Sequence, residues 1–124
     1  MEIYTGIDIV DLKRFRQVTE KYGFRFINRI FTDRELSHMP ESDESLRLLC
    51  ISFSFKEAVW KAMPEEMQKS FYFKDIEILW RRGKPSVALK GKTNPPGLTF
   101  NFYTTDRHAV TTAVVIFPVF NTQV

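Results

Sequence analysis

The stretch Phe53–Met63, FSFKEAVWKAM, sets the architecture of this chain. Numbered as a helix, it places Phe55, Ala58, Val59 and Ala62 on one face, joined upstream by Leu48 and Ile51. That is the i, i+3, i+4, i+7 spacing of an amphipathic helix. The same numbering puts Glu57 and Lys61 one turn apart on the opposite side. Phe53 and Trp60 flank Glu57 there. A carboxylate between two large aromatic rings loses hydration, so it requires a cation, a donor or a metal as partner. Two readings are open at this point. In the first, Glu57 and Lys61 form an ordinary surface salt bridge, which is common and weak. In the second, Glu57 is a metal ligand and Lys61 a phosphate contact. The second needs another carboxylate, and the N-terminal segment offers one.

Upstream, Glu2 to Val10 alternates and is rich in β-branched residues, which predicts a strand. Gly6 allows close backbone approach. Asp8, between Ile7 and Ile9, points opposite to both. It is either a solvent-facing strand residue or a carboxylate held rigidly at a sheet surface, as a metal site needs. Asp11 can cap the next helix, whose apolar stripe is Leu12, Phe15 and Val18. Lys13, Arg14 and Arg16 point elsewhere, with Lys21, Arg25 and Arg29 further on. Such a basic face is either simply solvated or suited to an acidic protein partner. A short helix is expected over Phe24–Ile30. Thr32 and Glu35 then match a capping box that starts another, to about Met39. His38 is a lone histidine with a surface role. Pro40 and the polar run at 41–45 form a loop or helix start. The long helix runs from about Glu44 to Met63, where Pro64 limits it.

Downstream, Pro64–Ser70 reads as a polar connection and Phe73–Trp80 as a strand. Arg81-Arg82-Gly83-Lys84 is a turn and Pro85–Leu89 the return strand. Asn94-Pro95-Pro96-Gly97 is a further turn. Leu98–Thr104 and His108–Phe117 are two more strands, the last marked by Val110, Val114 and Ile116 as well buried. The expected fold class is α+β, an antiparallel sheet packed on a long central helix, in one domain spanning residues 1–124.

Composition agrees with a packed domain. Of 124 residues, 44% are hydrophobic and twelve are Phe. No apolar run is long enough to span a membrane, and the start MEIYTGIDIV lacks the basic region of a signal peptide. The expectation is a cytoplasmic protein without a membrane partner. The single Cys50 cannot form an internal disulfide and reads as a small core residue. The net charge of +3 is compatible with an acidic partner. No nucleic-acid motif accompanies it, so nucleic acid is not the expected partner.

Four separated stretches, in order, resemble the holo-acyl-carrier-protein synthase type of 4'-phosphopantetheinyl transferase. They are Gly6-Ile7-Asp8-Ile9-Val10-Asp11 followed by Arg14-Phe15; Arg29-Ile30-Phe31-Thr32 with Glu35; Lys56-Glu57-Ala58 with Lys61-Ala62; and Asp75-Ile76-Glu77-Ile78 leading to Gly83-Lys84-Pro85. The third matches the family's Lys-Glu-Ala-x-x-Lys-Ala helix motif and is the most specific. The resemblance implies transfer of the phosphopantetheine arm of coenzyme A to a serine of an acidic acyl carrier protein, releasing 3',5'-ADP. It implies Asp8 and Glu57 as Mg²⁺ ligands and Glu57 and Lys61 as catalytic residues. Lys61 would stabilise charge on the transferring phosphoryl group. A metal-bound water, or Glu57 itself, would take the serine proton. Lys56, Lys61 and Lys84 would contact coenzyme A, and Lys13 and Arg14 would dock the carrier. A homotrimer working in fatty-acid and lipid metabolism is implied as well.

The chain departs from the family pattern at defined places. The family's Arg-Phe-Ala-Ala run before Lys-Glu has Ser52 in place of the Arg, and Ser54 and Phe55 in place of the two Ala. Its Ser-x-Ser-His segment is replaced around Phe100-Asn101-Phe102-Tyr103-Thr104. Pro64-Glu65-Glu66 stands where the family has a Gly-rich loop. The alternative is therefore a non-catalytic relative that keeps the fold and binds a carrier protein.

Overall fold

The computed structural model describes residues 2–42, 44–93 and 97–117. In chain order the elements are β1 (Glu2–Asp11), α1 (Leu12–Tyr22), α2 (Phe24–Ile30), α3 (Asp33–Ser37), α4 (Glu44–Lys61), α5 (Glu65–Gln68), β2 (Ile76–Arg81), β3 (Lys84–Leu89), β4 (Lys92–Thr93), β5 (Leu98–Thr104) and β6 (His108–Phe117). The strands form two three-stranded antiparallel sheets, ordered β1-β6-β5 and β2-β3-β4. The fold is α+β, as the sequence pattern predicts, with the strands divided between two sheets. β6 lies between β1 and β5, so the first and last described strands pair along their full length, from Glu2↔Phe117 to Asp11↔His108.

α4 is the organising element. Phe55, Ala58, Val59 and Ala62 are completely buried, and Cys50 with them. They meet Ile76, Ile78, Val87 and Leu89 of the second sheet in one core cluster. Burial of this kind contributes roughly 25 cal/mol per Å² of apolar surface. On the other side, β1 runs tightly against α4 at Gly6. A Cβ there would lie 2.2 Å from the carbonyl oxygen of Ala58 and 2.8 Å from the backbone N of Ala62. Only glycine permits that approach, and it sets β1 against the last turns of α4.

Local expectations hold in several places. Asp11 caps α1, its Oδ1 accepting from the Arg14 backbone N at 3.0 Å. Thr32 and Glu35 form the capping box of α3. Arg82 and Gly83 both have positive φ in the β2–β3 turn, the conformation a tight hairpin requires. Among the described residues His38 binds locally, to the carbonyl of Arg34 and the Ser37 hydroxyl. Other boundaries move. Phe73–Asp75 is a 3₁₀ turn before β2, and Glu65–Gln68 is a short helix inside the expected connection. Asn94, Pro95 and Pro96 of the expected turn, and the side chains of Val110, Val114 and Ile116, lie outside the described residues.

Candidate active site

β1 presents its two faces in an unexpected sense. Ile3, Ile7 and Ile9 face outward, at 61%, 56% and 62% exposure. Gly6, Asp8 and Val10 face α4 instead. Asp8 is therefore not the solvent-facing strand residue of the first reading; its side chain retains 12% exposure. The close approach at Gly6 is the reason. It brings Asp8 beside the last turns of α4, where the Ser54 hydroxyl donates to the Asp8 carbonyl at 3.3 Å.

Three of the predicted site residues converge here. Lys61 Nζ donates to Asp8 Oδ1 at 2.9 Å, across from helix to strand. Among the described residues no ion pair joins Glu57 to Lys61, so the i, i+4 surface bridge is replaced by this longer-range one. Asp8 Oδ2 is buried and has no hydrogen-bond partner among the described residues. Leaving such an acceptor unsatisfied costs about 1–3 kcal/mol. Glu57, half-buried, has its pKa raised, first by burial and then by the Asp8 charge, with Lys61 opposing. The hydrogen bond to Asp8 raises the Lys61 pKa, so the side chain is a firm cation. A cavity of about 470 Å³ opens over the group, lined by Asp8, Glu57, Lys61 and Arg14 and floored by Phe15 and Phe53.

The donor chemistry suits a small hard cation. Two mutually repelling carboxylates line one cavity, one of them with a buried oxygen that has no partner among the described residues. Among the described residues no group of three or more His, Cys, Asp or Glu could hold a metal alone. Two carboxylates completed by water and substrate phosphates is the arrangement Mg²⁺ commonly takes.

The expected coenzyme A contacts are not brought together. Lys56 is a correction. It is fully buried, and its ammonium donates to Glu35 Oε1 at 2.8 Å, to the Phe73 carbonyl at 2.8 Å and to the Ile76 carbonyl. All three of its N–H donors are thus engaged inside the protein. Lys84 sits exposed beside the β2–β3 turn and does not line the cavity. Lys13 and Arg14 are both exposed on α1. Arg14 also lines the cavity, so it stands closer to the carboxylates than a remote docking residue would.

Sequence reasoning missed two features. Glu35 reads as a capping residue, yet its carboxylate also accepts from Lys56 Nζ and, through Oε2, from the Ile78 backbone N at 2.9 Å. The buried lysine three residues from Phe53 is the signal that could have found it, because such an ammonium demands a carboxylate. Second, the departures from the family pattern lie together. Ser52 is buried and accepts from Trp80 Nε1 at 2.8 Å. The Phe55 ring meets Phe100 and Phe102 at centroid distances of 4.9 and 5.3 Å, and Trp80 meets Phe102 at 5.7 Å. One aromatic cluster occupies what the sequence shows as separate substitutions.

Comparison with known proteins decides the family. The model of the 4'-phosphopantetheinyl transferase superfamily matches residues 4–113. The chain belongs to the 4'-phosphopantetheinyl transferase superfamily. Among similar members, the holo-[acyl-carrier-protein] synthase of Aquifex aeolicus is 40% identical over 84 residues, covering 68% of this chain and 69% of its own. That of Dehalococcoides mccartyi is 38% identical over 98 residues, 78% of each chain. In structure, the transferase chain resembles the Helicobacter pylori holo-[acyl-carrier-protein] synthase solved with coenzyme A. The TM-score is 0.69 at 22% identity, covering 90% of this chain and 99% of that one. Asp8, Arg14, Glu57 and Lys61 all fall within the matched span.

Proposed function

We propose that this transferase moves the 4'-phosphopantetheine arm of coenzyme A to a serine of an acyl carrier protein, with Mg²⁺ held by Asp8 and Glu57. The observation that carries this reading is Asp8, whose Oδ2 is buried with no partner among the described residues and whose side chain lines a cavity with Glu57 and Lys61. When bound, the magnesium supplies neutralisation of the diphosphate charge. In the reaction the serine oxygen bonds to the phosphorus bearing the arm. The bond from that phosphorus to the bridging oxygen breaks, and 3',5'-ADP leaves with the electron pair. Glu57 receives the serine proton. Lys61, about half exposed at the cavity, balances the charge that grows on the phosphoryl oxygens. Arg14, with Lys13 beside it on α1, steers the acidic carrier to the opening.

The reading extends to assembly and setting. The outward Ile3, Ile7 and Ile9 form an apolar row on β1, and Tyr103 of β5 is 68% exposed. A row of this kind supports burial against further copies of the chain, as a homotrimer. A single domain over 1–124, acting in the cytoplasm in fatty-acid and lipid metabolism, completes the proposal. Sedimentation of the purified protein tests the assembly: a monomer at all concentrations would remove it.

The reaction is tested by mixing the protein with Mg²⁺, coenzyme A and apo carrier protein and weighing the carrier. The expected result is a gain of one phosphopantetheine arm, lost in Asp8→Asn and in Glu57→Gln. A second reading, a non-catalytic carrier-binding relative, is favoured by the aromatic cluster at Ser52, Phe55, Phe100 and Phe102. Carriers that bind but never gain mass would select it.

A further inference from the structure

Lys61 already does for the two carboxylates part of what a metal ion would do. Its ammonium donates to Asp8 Oδ1 at 2.9 Å, and its charge also favours the ionised form of Glu57. Among the described residues, Asp8 Oδ1 is the one hydrogen-bond acceptor that this ammonium has. The hold is light. The Lys61 side chain is about half exposed, lies at the end of α4, and carries its charge on a flexible four-carbon stem. Lys56, five positions earlier, is the opposite case: three acceptors surround it inside the core, so it has no freedom to leave its carboxylate.

Charge decides whether Lys61 and a divalent ion can share Asp8. Three carboxylates line the cavity, Asp8, Asp11 and Glu57, against two cations, Arg14 and Lys61. One negative charge is left over, so a divalent ion alone overshoots neutrality. With Lys61 in place, one largely buried carboxylate would serve an ammonium and a dication together, and like charges at that range repel. A diphosphate brings the missing negative charge and offers the ammonium new acceptors. We infer that Lys61 changes partners as the site is loaded: it holds Asp8 as a built-in stand-in for the cation, then passes to the phosphate oxygens of the substrate when Mg²⁺ takes the carboxylates. This rests on the magnesium and phosphate reading above and adds a consequence to it. Lys61 opposes binding of the metal alone and couples it to binding of the diphosphate, each strengthening the other by the same factor.

Calorimetric titration of Mg²⁺ into the protein, with and without saturating coenzyme A and with no carrier present, reads the exchange without any turnover. Lys61→Met removes the rival charge from an exposed position and keeps most of the stem. Mg²⁺ alone should bind this variant about fivefold more tightly than wild type. The tightening of Mg²⁺ binding by coenzyme A should shrink by about the same factor. Lys61→Arg keeps the charge and should bind Mg²⁺ alone as weakly as wild type. Lower Mg²⁺ affinity in Lys61→Met would make Lys61 a support that orients Asp8 for the ion. Unchanged affinity would make it a bystander, and equal tightening in Lys61→Arg would show that charge is not the cause. Each of these overturns the exchange. The two proposals fail separately. A wild type that takes up no Mg²⁺ even with coenzyme A sinks the metal reading itself. Wild-type binding that Asp8→Asn abolishes, with no gain in Lys61→Met, leaves that reading in place and sinks the exchange alone.

Discussion

Two lysines on α4, five positions apart, each bind a carboxylate from another element at nearly the same distance. Lys56 meets Glu35 at 2.8 Å with both side chains fully buried; Lys61 meets Asp8 at 2.9 Å with 47% and 12% exposure. The difference is in what is left over. Around the buried pair nothing is: Glu35 also accepts from Thr32 N and Ile78 N, and Lys56 also donates to two carbonyls. At the second pair one Asp8 oxygen has no partner among the described residues, and Glu57 stands near it. A saturated pair holds elements together, here α3, α4 and β2. An unsaturated one has coordinating capacity to offer a ligand. Burial alone does not separate structure from function; unused bonding capacity does.

The buried pair should give the largest effect. Lys56→Met strands the Glu35 charge in the core and is expected to cost about 3–5 kcal/mol in urea unfolding. Adding Glu35→Gln removes that charge while keeping an acceptor for Thr32 N and Ile78 N, and should recover more than half. A loss below about 1 kcal/mol in the single variant would place this pair with exposed ones and break the comparison.

Gly6→Ala comes next and affects both regions. The new Cβ would press on the backbone of Ala58 and Ala62, which a side-chain adjustment cannot relieve. Overpacking of this kind costs about 1–3 kcal/mol. Because β1 must move off α4, Mg²⁺ affinity measured by calorimetry should fall together with stability. Lost stability with intact Mg²⁺ affinity would show that Asp8 does not depend on the Gly6 contact.

These effects explain what the sequence could and could not tell. The helix at 44–61 and the hairpin at Arg82-Gly83 were legible because local spacing and turn chemistry determine them. The two carboxylates were legible as anomalies, each an acid set among apolar neighbours. The partner of Lys56 was not, because Glu35 lies 21 residues away and already satisfies a local motif. Nor was the facing of β1. Alternation gives two faces without saying which is inward, and Gly6 rather than the isoleucines decides it. The aromatic cluster around Phe55 was hidden because its members come from three separate stretches.

Asp8→Asn should have a smaller effect on stability than either change above. It removes a carboxylate that repels Glu57 and frees Lys61 into solvent, and exposed pairs contribute little. The expected change in urea unfolding is within about 1 kcal/mol, while Mg²⁺ binding is lost. A loss as large as that of Lys56→Met would make Asp8 structural and remove the distinction between the two pairs.

The subtlest difference is in pH. Burial and the Asp8 charge hold the Glu57 pKa above its ordinary 4.5 in the folded protein. The folded state therefore binds this proton more tightly than the unfolded one. Stability from this group is greatest below the unfolded value, falls as pH rises from about 4.5 through the folded pKa, and is constant beyond it. Glu35 is also raised by burial and titrates in the same direction, so the Glu57 contribution must be isolated by difference. Melting metal-free wild type and Glu57→Gln in parallel from about pH 4 to 7 does this. The wild type should lose more stability across that range than the variant. Saturating Mg²⁺ should reverse the sign for the wild type alone, since a cation favours the ionised carboxylates. The two curves running parallel, with and without Mg²⁺, would mean that Glu57 and Asp8 do not share an ion, and the second pair would become as purely structural as the first.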